Sequence, residues 1–186
     1  MKYVFDLLLG IVIFVLLMIP MLLIAIAICL TSKGSVLYWS DRVGKNNKIF
    51  KMPKFRSMFI DAPTVATHLL DNPGEYLSPI GGFLRRSSLD ELPQLFSVLK
   101  GDMSFVGPRP ALFNQVDLIT LRSKKGVDKL LPGITGWAQV NGRDELSIYN
   151  KVLLDLEYLN NQSLWFDLKI LWMTFLKVIK RQGVSH

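Results

Sequence analysis

An uncharged, largely apolar run over residues 7–30, LLLGIVIFVLLMIPMLLIAIAICL, must find an environment other than water when this chain folds. As an α-helix the run would extend about 36 Å, at about 1.5 Å per residue, and the hydrocarbon core of a bilayer is about 30 Å thick. The run is too long and its flanks too apolar for an ordinary signal peptide, and no small-residue cleavage site follows it. We therefore expect a membrane segment.

Pro20 lies near the middle of this run. Proline lacks a backbone N–H and clashes with the preceding turn, so the sequence predicts a kinked helix. The kink could tilt a helix that spans the bilayer, or it could turn the chain back so that both ends lie on one face. Length and composition favour the span, and hydrophobic periodicity does not distinguish the two paths.

Basic residues are concentrated directly after the apolar run. The net charge of the chain is +7, and between residues 33 and 60 seven basic residues face one acid, Asp41. Such a block indicates a cytoplasmic segment close to anionic headgroups or phosphates. The seven basic residues are Lys33, Arg42, Lys45, Lys48, Lys51, Lys54 and Arg56.

Composition argues against several kinds of site. Cys29 is the single cysteine and lies inside the apolar run, so neither a disulfide nor a cysteine-based zinc site is expected. His68 and His186 are the only histidines, which argues against a His-based triad or a His-rich metal site. No RNP, zinc-finger or helix-turn-helix pattern accompanies the basic residues, so nucleic acid is not expected as a partner.

The pattern after the run predicts an α+β chain that is mostly helical, with short strands. Two apolar-alternating stretches flank residues 44–47 (GKNN) and predict a β-hairpin. Residues 60–82 predict a short helix followed by loops. Further helices are expected over residues 89–99, in a segment ending near 125, over 146–158, and from 163 into the basic C-terminal residues. We divide the chain into a membrane segment, residues 1–32, and a cytoplasmic domain, residues 33–186.

The last of these helices is amphipathic. A basic amphipathic helix with Trp and Phe on its apolar face can lie in a bilayer interface, or that face can pack on the protein's own core. Both positions remain open at this point. The apolar face comprises Leu168, Leu171, Trp172, Phe175, Leu176 and Ile179, and it is bordered by Lys169, Lys177, Lys180 and Arg181.

Two adjacent acids, Asp90 and Glu91, stand in a basic neighbourhood. Ser88 and Glu91 have the spacing of a capping box at a helix N-terminus, which explains the acids without any chemistry. A helix N-terminus also favours phosphate, and Arg85 and Arg109 could add charge-assisted contacts. One carboxylate could then be a nucleophile and its neighbour could bind a divalent cation. The two interpretations are compatible.

Three strings in fixed order resemble a known family. They are KFRSM, LRRSSLDELPQLFSVLKGDMSFVGPRP and PGITGWAQVNGR, and they follow the apolar run that Pro20 interrupts. Together they resemble the bacterial sugar transferase family, in particular the small monotopic phosphoglycosyl transferases. The resemblance covers nearly the whole chain, and it suggests a minimal catalytic unit.

The resemblance implies an enzyme of the inner bacterial membrane, at its cytoplasmic face. Family members move a sugar-1-phosphate from a UDP-sugar, often an N-acetylated hexosamine, to undecaprenyl phosphate, with Mg²⁺ and release of UMP. They initiate an envelope glycoconjugate such as capsule, O-antigen, exopolysaccharide or a glycoprotein glycan. The reaction follows a ping-pong cycle through a phosphosugar intermediate.

By position in the family motifs, Asp90 is the expected nucleophile, and Glu91 would bind Mg²⁺ with it or handle protons. Lys54, Arg85 and Arg109 occupy positions of phosphate-handling cations. Further substrate-binding candidates are Arg143 and Asp155. For each residue outside the acidic pair, a structural ion pair is the alternative.

The resemblance also changes the expected path of the membrane helix. Family members use a re-entrant helix broken at a proline, usually in a Ser-Pro pair, and here the pair is Ile19-Pro20. A re-entrant helix is therefore favoured over a span.

Two other functions remain open, a glycosyltransferase that releases UDP and a non-catalytic, membrane-anchored scaffold of a glycan pathway. A homo-oligomer is also left open.

Overall fold

A computed structural model of the chain describes residues 2–62, 72–142 and 145–179. These parts are mostly helical with a few short strands, which confirms the expected α+β class. The helices are α1 (Lys2–Thr31), α2 (Gly81–Arg86), α3 (Gln94–Lys100), α4 (Val116–Lys124), α5 (Trp137–Val140), α6 (Ile148–Asn160) and α7 (Leu164–Ile179). The strands are β1 (Leu37–Val43), β2 (Ile49–Phe55), β3 (Ser104–Val106), β4 (Ala111–Leu112) and β5 (Gly133–Thr135).

The apolar run forms α1, a single helix of 30 residues with Pro20 inside it. Pro20 cannot donate the hydrogen bond that another residue would give to the Leu16 carbonyl, yet the helix continues on both sides of it. The expected break at Pro20 is therefore not confirmed. Within the described residues, α1 is the one helix long and apolar enough to cross a bilayer.

One face of α1 packs against the rest of the protein, and the other face is open. Both faces are apolar, which is why periodicity could not reveal which of them has a protein partner. The packed face consists of Leu9, Ile13, Phe14, Leu17, Met21, Ile24, Ala25 and Ile28. The open face includes Leu8, Val12, Val15, Leu16, Ile19, Leu23 and Leu30, each more than half exposed.

Buried polar contacts hold the N-terminal end of α1. Lys2 Nζ donates to Asp167 Oδ2 at 2.6 Å, and the Tyr158 hydroxyl donates to Asp167 Oδ1 at 2.6 Å. Asp6 accepts a hydrogen bond from the backbone N–H of Phe105 at 3.3 Å. Burial and the Asp167 carboxylate raise the pKa of Tyr158, so its hydroxyl keeps the proton that it donates. The start of α1 is thus fixed to α6, α7 and β3.

The C-terminal end of α1 is held by Arg56, which is buried. Its Nη1 donates to the Lys33 carbonyl at 2.6 Å, and its Nη2 donates to the carbonyl and the hydroxyl of Ser32 at 3.1 and 3.0 Å. A cation here also complements the negative end of the helix dipole. A helix about 45 Å long, at about 1.5 Å per residue, therefore contacts the same body at both ends.

The predicted β-hairpin is confirmed. Strands β1 and β2 pair antiparallel from Leu37↔Phe55 to Val43↔Ile49, and the turn between them contains the short 3-10 helix Lys45–Asn47. The sheet order is β2-β1-β4, so β2 is an edge strand and tolerates Pro53, which has no N–H to pair.

Strands β3 and β5 pair in parallel, and the segment after β3 stays against β5. Gly107 N–H donates to the Thr135 carbonyl, and Gly133 N–H donates to the Pro108 carbonyl, both at 2.9 Å. A Cβ atom on Gly107 would overlap the Leu131 carbonyl oxygen, so the close approach requires glycine there. This contact fixes the start of the GPRP segment, residues 107–110.

The helix expected over residues 89–99 is divided, and the predicted capping box is wrong. A 3-10 helix covers Leu89–Glu91, and α3 begins only after Pro93. Ser88 adopts a left-handed conformation, φ 56°, and its side chain makes no capping hydrogen bond. The predicted end of the helix is confirmed, since Gly101 follows α3 at φ 87°.

Helix α7 buries Asp167 and Ile170. Most of the apolar face predicted for it points away from the core, since Leu168, Trp172 and Phe175 are 39%, 61% and 54% exposed. An interfacial position of α7 stays a prediction, as does the division at residue 32. Lys180, Arg181, the side chain of Ile179 and most of the short helix expected in residues 60–82 lie outside what the structure describes.

Candidate active site

The acidic pair lies on the 3-10 helix Leu89–Glu91, which faces strand β2 of the hairpin. Glu91 Oε1 accepts a hydrogen bond from Lys54 Nζ at 2.8 Å and another from Arg109 Nη2 at 3.0 Å. Burial alone would raise the pKa of Glu91, but Arg109 and Lys54 outweigh it and hold the pKa well below its usual range. Glu91 is therefore an anion that orders two cations.

The pKa of Asp90 is shifted in the opposite direction to that of Glu91, although the two residues are adjacent. Asp90 is 8% exposed, and burial raises the pKa of its carboxyl above the usual 3.8. Lys54, Arg85 and Arg109 lower the pKa in part, and the negative charge of Glu91 raises it further. A carboxylate with a raised pKa is a more basic and better nucleophile once it is ionised. Glu91 is thus the stable anion of the pair, and Asp90 is the candidate nucleophile.

Arg85 reaches the site from helix α2. Its Nε donates to Ser57 Oγ at 3.0 Å, and its Nη2 contacts Met58 Sδ at 3.4 Å. Burial lowers the pKa of Arg85, and the charge of Asp90 opposes that effect. Lys54 and Arg109 thus contact Glu91, and the charges of Arg85 and Asp90 act on each other. That the three cations bind phosphate stays a prediction.

Arg42 is a further cation of the site that the sequence analysis did not single out. Burial and the neighbouring Arg109 lower the pKa of Arg42 to about 10, and Glu91 opposes them. Its Nε donates to Ser40 Oγ at 3.0 Å, and its Nη1 donates to the Pro110 carbonyl at 3.2 Å. Ser40 and Arg42 share one face of β1 because they are two residues apart. This alternation was the only feature of the local sequence that indicated the contact between them.

Asp155 lies behind the site, in a buried pair with Arg122. Its Oδ2 accepts from Arg122 Nε at 2.9 Å and from Nη2 at 2.7 Å, and Arg122 Nη1 donates to the Arg109 carbonyl at 2.8 Å. Burial raises the pKa of Asp155, and Arg122 offsets part of that rise. The visible role of Asp155 is to orient Arg122, which supports the backbone of Arg109. Substrate binding by Asp155 stays a prediction, and Arg143 lies outside the described residues.

A cavity of about 440 Å³ opens beside Glu91 and Arg109. Its volume falls within the range of about 300–1,000 Å³ that is usual for ligand sites. The other lining residues come from α1, α3, α5, α7, β3, β5 and the segments next to them. The apolar ones are Ile13, Leu17, Leu92, Leu95, Phe105, Ile134, Val140 and Val178, and the polar ones are Ser88, Thr135, Gln139, Glu145, Thr174 and Lys177.

The acidic pair fits a magnesium ion only together with substrate. Within the described residues, no group of three or more His, Cys, Asp or Glu side chains could hold a metal. Mg²⁺ commonly uses one or two carboxylates and completes its shell with water and substrate phosphates. Asp90 and Glu91 can supply those two carboxylates, although Glu91 Oε1 already serves Lys54 and Arg109.

Comparison with known proteins shows the family to which the chain belongs. Residues 1–181 match the family model described as bacterial sugar transferase. An undecaprenyl-phosphate glucose phosphotransferase of Komagataeibacter xylinus is 40% identical over 196 aligned residues, covering 100% of this chain and 36% of the relative. A UDP-glucose:undecaprenyl-phosphate glucose-1-phosphate transferase of Escherichia coli is 43% identical, covering 83% of this chain and 35% of the relative.

An uncharacterized sugar transferase of Bacillus subtilis matches over most of both chains. It is 40% identical, and the match covers 89% of this chain and 81% of the relative. The chain spans only about a third of the length of the Komagataeibacter and Escherichia relatives. Asp90, Glu91 and the neighbouring Lys54, Arg85 and Arg109 all lie inside the region that matches the family model.

Proposed function

Because the chain belongs to the bacterial sugar transferase family, we propose that it transfers a sugar-1-phosphate from a UDP-sugar to undecaprenyl phosphate and releases UMP. The observation that carries the proposal is that Asp90 and Glu91, although adjacent, have pKa values shifted in opposite directions. Glu91 orders Lys54 and Arg109, while burial raises the pKa of the adjacent Asp90. This arrangement provides a nucleophile next to cations that can neutralise a diphosphate.

The reaction proceeds in two displacements at phosphorus. An Asp90 carboxylate oxygen attacks the sugar-bearing phosphorus, the bond to the UMP oxygen breaks, and UMP leaves with that electron pair. A phosphate oxygen of the lipid acceptor then attacks the same phosphorus, which releases the Asp90 carboxylate and forms the lipid diphosphosugar. Lys54, Arg109 and Arg85 balance the negative charge in both steps.

Mg²⁺ would be held by Asp90 and Glu91 together with the diphosphate. Its chemical contribution is to offset charge on the phosphate oxygens. The protein's own part is to fix the cations around Glu91 and to exclude water from the buried Asp90.

The donor sugar is proposed to be an N-acetylated hexosamine. Relatives of the chain carry glucose or galactose in their names, so UDP-glucose and UDP-galactose are the main competing donors. The product would initiate an envelope glycan in either case.

The test of this function is to incubate membranes containing the protein with a panel of UDP-sugars, Mg²⁺ and undecaprenyl phosphate. We expect UMP and a lipid-linked phosphosugar with one donor of the panel. Release of UDP would instead show transfer of the sugar alone, and no reaction with any donor would favour a scaffold.

The membrane position proposed here is monotopic, at the cytoplasmic face. Both ends of α1 contact the same body, through Lys2 and Arg56, so a helix crossing the bilayer would have to give up one set of contacts. The open apolar face of α1 would then lie in one leaflet. Most of the apolar face of α7 is also exposed and would lie in the interface.

Labelling of introduced cysteines would test this position. In a Cys29→Ser background, we expect Tyr3→Cys and Ser35→Cys both to resist an impermeant maleimide on intact cells and to react after permeabilisation. Tyr3 is exposed near one end of α1 and Ser35 follows the other. Labelling of only one of them on intact cells would show a spanning helix and contradict the monotopic position.

The pH profile of donor turnover should report Asp90. Its pKa is raised above 3.8 in the folded protein, so kcat/KM is retained above that raised value and is lost as the pH falls through it. Lys54 lowers this pKa and Glu91 raises it, so Lys54→Met should move the acid limb to higher pH and Glu91→Gln to lower pH. Shifts of both variants in the same direction would contradict the assignment.

A further inference from the structure

The GPRP segment, residues 107–110, carries Arg109 to the acidic pair and contains two prolines. Proline has no backbone N–H, so the segment cannot form a complete strand ladder, and its carbonyl groups need donors from elsewhere. Arg122 of α4 donates to the Arg109 carbonyl at 2.8 Å. Arg42 of β1 donates to the Pro110 carbonyl at 3.2 Å. Two arginines from different elements therefore hold consecutive carbonyl groups of this segment.

These two hydrogen bonds fix the peptide planes on both sides of Pro110. The ring of Pro110 also restricts its own φ angle to about −65°. On the other side of Arg109, the Pro108 carbonyl accepts a hydrogen bond from the Gly133 N–H at 2.9 Å. The backbone of Arg109 is thus held from both directions, and its side chain is the part that remains free to move.

The guanidinium of Arg42 is itself oriented by a second contact. Its Nε donates to Ser40 Oγ at 3.0 Å, and Ser40 is buried. The backbone of Arg42 pairs with Leu112 of β4, so β1 runs beside the chain just after the GPRP segment. Nε and Nη1 of one planar group thus join two fixed points, a geometry that the ammonium of a lysine cannot reproduce.

The charge of Arg42 acts on the same residue whose backbone it helps to hold. Burial and the charge of Arg109 lower the pKa of Arg42 to about 10, and Glu91 opposes them, so Arg42 remains a cation at neutral pH. Like charges repel, so Arg42 disfavours positions of the Arg109 guanidinium that are closer to β1. The position that remains favourable is the observed one, in which Arg109 Nη2 donates to Glu91 Oε1 at 3.0 Å.

Arg109 and Arg42 differ in their access to a ligand. Arg109 lines the cavity of about 440 Å³ together with Glu91, and its side chain is 33% exposed. Arg42 is not among the described residues that line this cavity. Its effect on a substrate in the cavity therefore passes through Arg109 and not through direct contact.

We propose that Arg42 is a positioning residue of the reaction, which holds the Pro110 carbonyl and repels the Arg109 guanidinium so that Arg109 stays extended toward Glu91 and the donor's diphosphate. A buried cation beside another cation opposes folding, so an arginine here is better explained by the reaction than by stability. This inference rests on the proposed function and adds to it a residue that determines where Arg109 lies without touching the substrate.

A double-mutant cycle tests the proposal, with the single-turnover rate of UMP release from donor alone as the measurement. Arg42→Met should lower this rate by about ten- to a hundredfold, the cost of a small misplacement of a group that orients substrate. Arg109→Met should lower it by about a hundred- to a thousandfold. Adding Arg42→Met to Arg109→Met should change the rate by less than about twofold, because no Arg109 side chain is left to position.

Milder variants keep the test valid if Arg42→Met folds poorly. Arg42→Lys retains the charge but not the planar fork, and we expect a loss of at least about fivefold. Ser40→Ala removes only the hydroxyl that orients Nε, and we expect a loss of about two- to fivefold. The matched control is Lys51→Met, which removes a cation of the same hairpin whose side chain is 72% exposed, and it should release UMP at the wild-type rate.

The outcomes separate this inference from the function on which it rests. If the wild type releases no UMP with any donor, the proposed function fails. If the wild type releases UMP and both Arg42→Met and Arg42→Lys match Lys51→Met, Arg42 does not position Arg109. If the losses from Arg42→Met and Arg109→Met multiply in the double variant, Arg42 acts independently of Arg109, and the proposal is wrong.

Discussion

Asp90→Asn is expected to abolish sugar-phosphate transfer, with a loss of at least about a thousandfold, because an amide cannot form the acyl phosphate. Incubation with donor alone should increase the mass of the wild-type protein by one phosphosugar and leave the variant unchanged. Intact-protein mass spectrometry and UMP release measure the two effects. Turnover of the variant within about tenfold of the wild type would contradict the nucleophile assignment.

The same variant should fold at least as well as the wild type. Burial raises the pKa of Asp90 in the folded protein, so its ionised carboxylate opposes folding above that pKa. Asparagine removes this cost, and the thermal midpoint at neutral pH should be equal or higher. The control is Asp41→Asn, since Asp41 is a half-exposed acid of β1 paired with Lys51 at 3.8 Å, and we expect full activity from it.

Asp155→Leu is expected to destabilise the protein by about 3–5 kcal/mol, since it leaves the buried Arg122 without its counter-ion. The two side chains are 2% and 11% exposed and lie 2.7 Å apart. Chemical denaturation in detergent, followed by α-helical circular dichroism, would measure the change in the free energy of unfolding. A loss below about 1 kcal/mol would show that Arg122 finds another partner or water.

The double variant Arg122→Met, Asp155→Leu separates stability from positioning. Replacing both members of a buried pair by apolar residues is often neutral for stability, so the free energy of unfolding should largely recover. Activity should not recover, because the Arg109 carbonyl still lacks the hydrogen bond of 2.8 Å from Arg122. Recovery of both would show that the pair contributes nothing to the position of Arg109.

The parts of the fold that sequence predicted correctly have local signals. The turn cluster at residues 44–47 specified the hairpin, and Gly101 marked the end of α3. The path of α1 had no such signal, because one face meets protein and the other is open, and both require apolar side chains. Lys2 and Asp6 also carry no local sign that their partners are Asp167 and the Phe105 backbone.

The capping box predicted from Ser88 and Glu91 is wrong because their spacing allows a capping box but does not ensure that one forms. Glu91 has stronger partners in Lys54 and Arg109 than the N–H of Ser88, and Pro93 separates the acids from α3. The family motifs associated Lys54 and Arg109 with one site, and in the structure both donate to Glu91 although 55 residues separate them in sequence. No motif pointed to Arg122, whose partners Arg109 and Asp155 lie 13 and 33 residues away.

The ion pair between Lys2 and Asp167 joins residues that are 165 positions apart. A ribosome adds about 5–20 residues per second, so α1 is complete roughly ten to thirty seconds before Asp167 is synthesised. During that interval Lys2 has no Asp167 to contact, and its neighbour Asp6, whose carboxylate lies 4.0 Å from the Lys2 Nζ in the folded chain, is the acid within reach. The contact between α1 and α7 therefore forms only after nearly all of the described chain has been made.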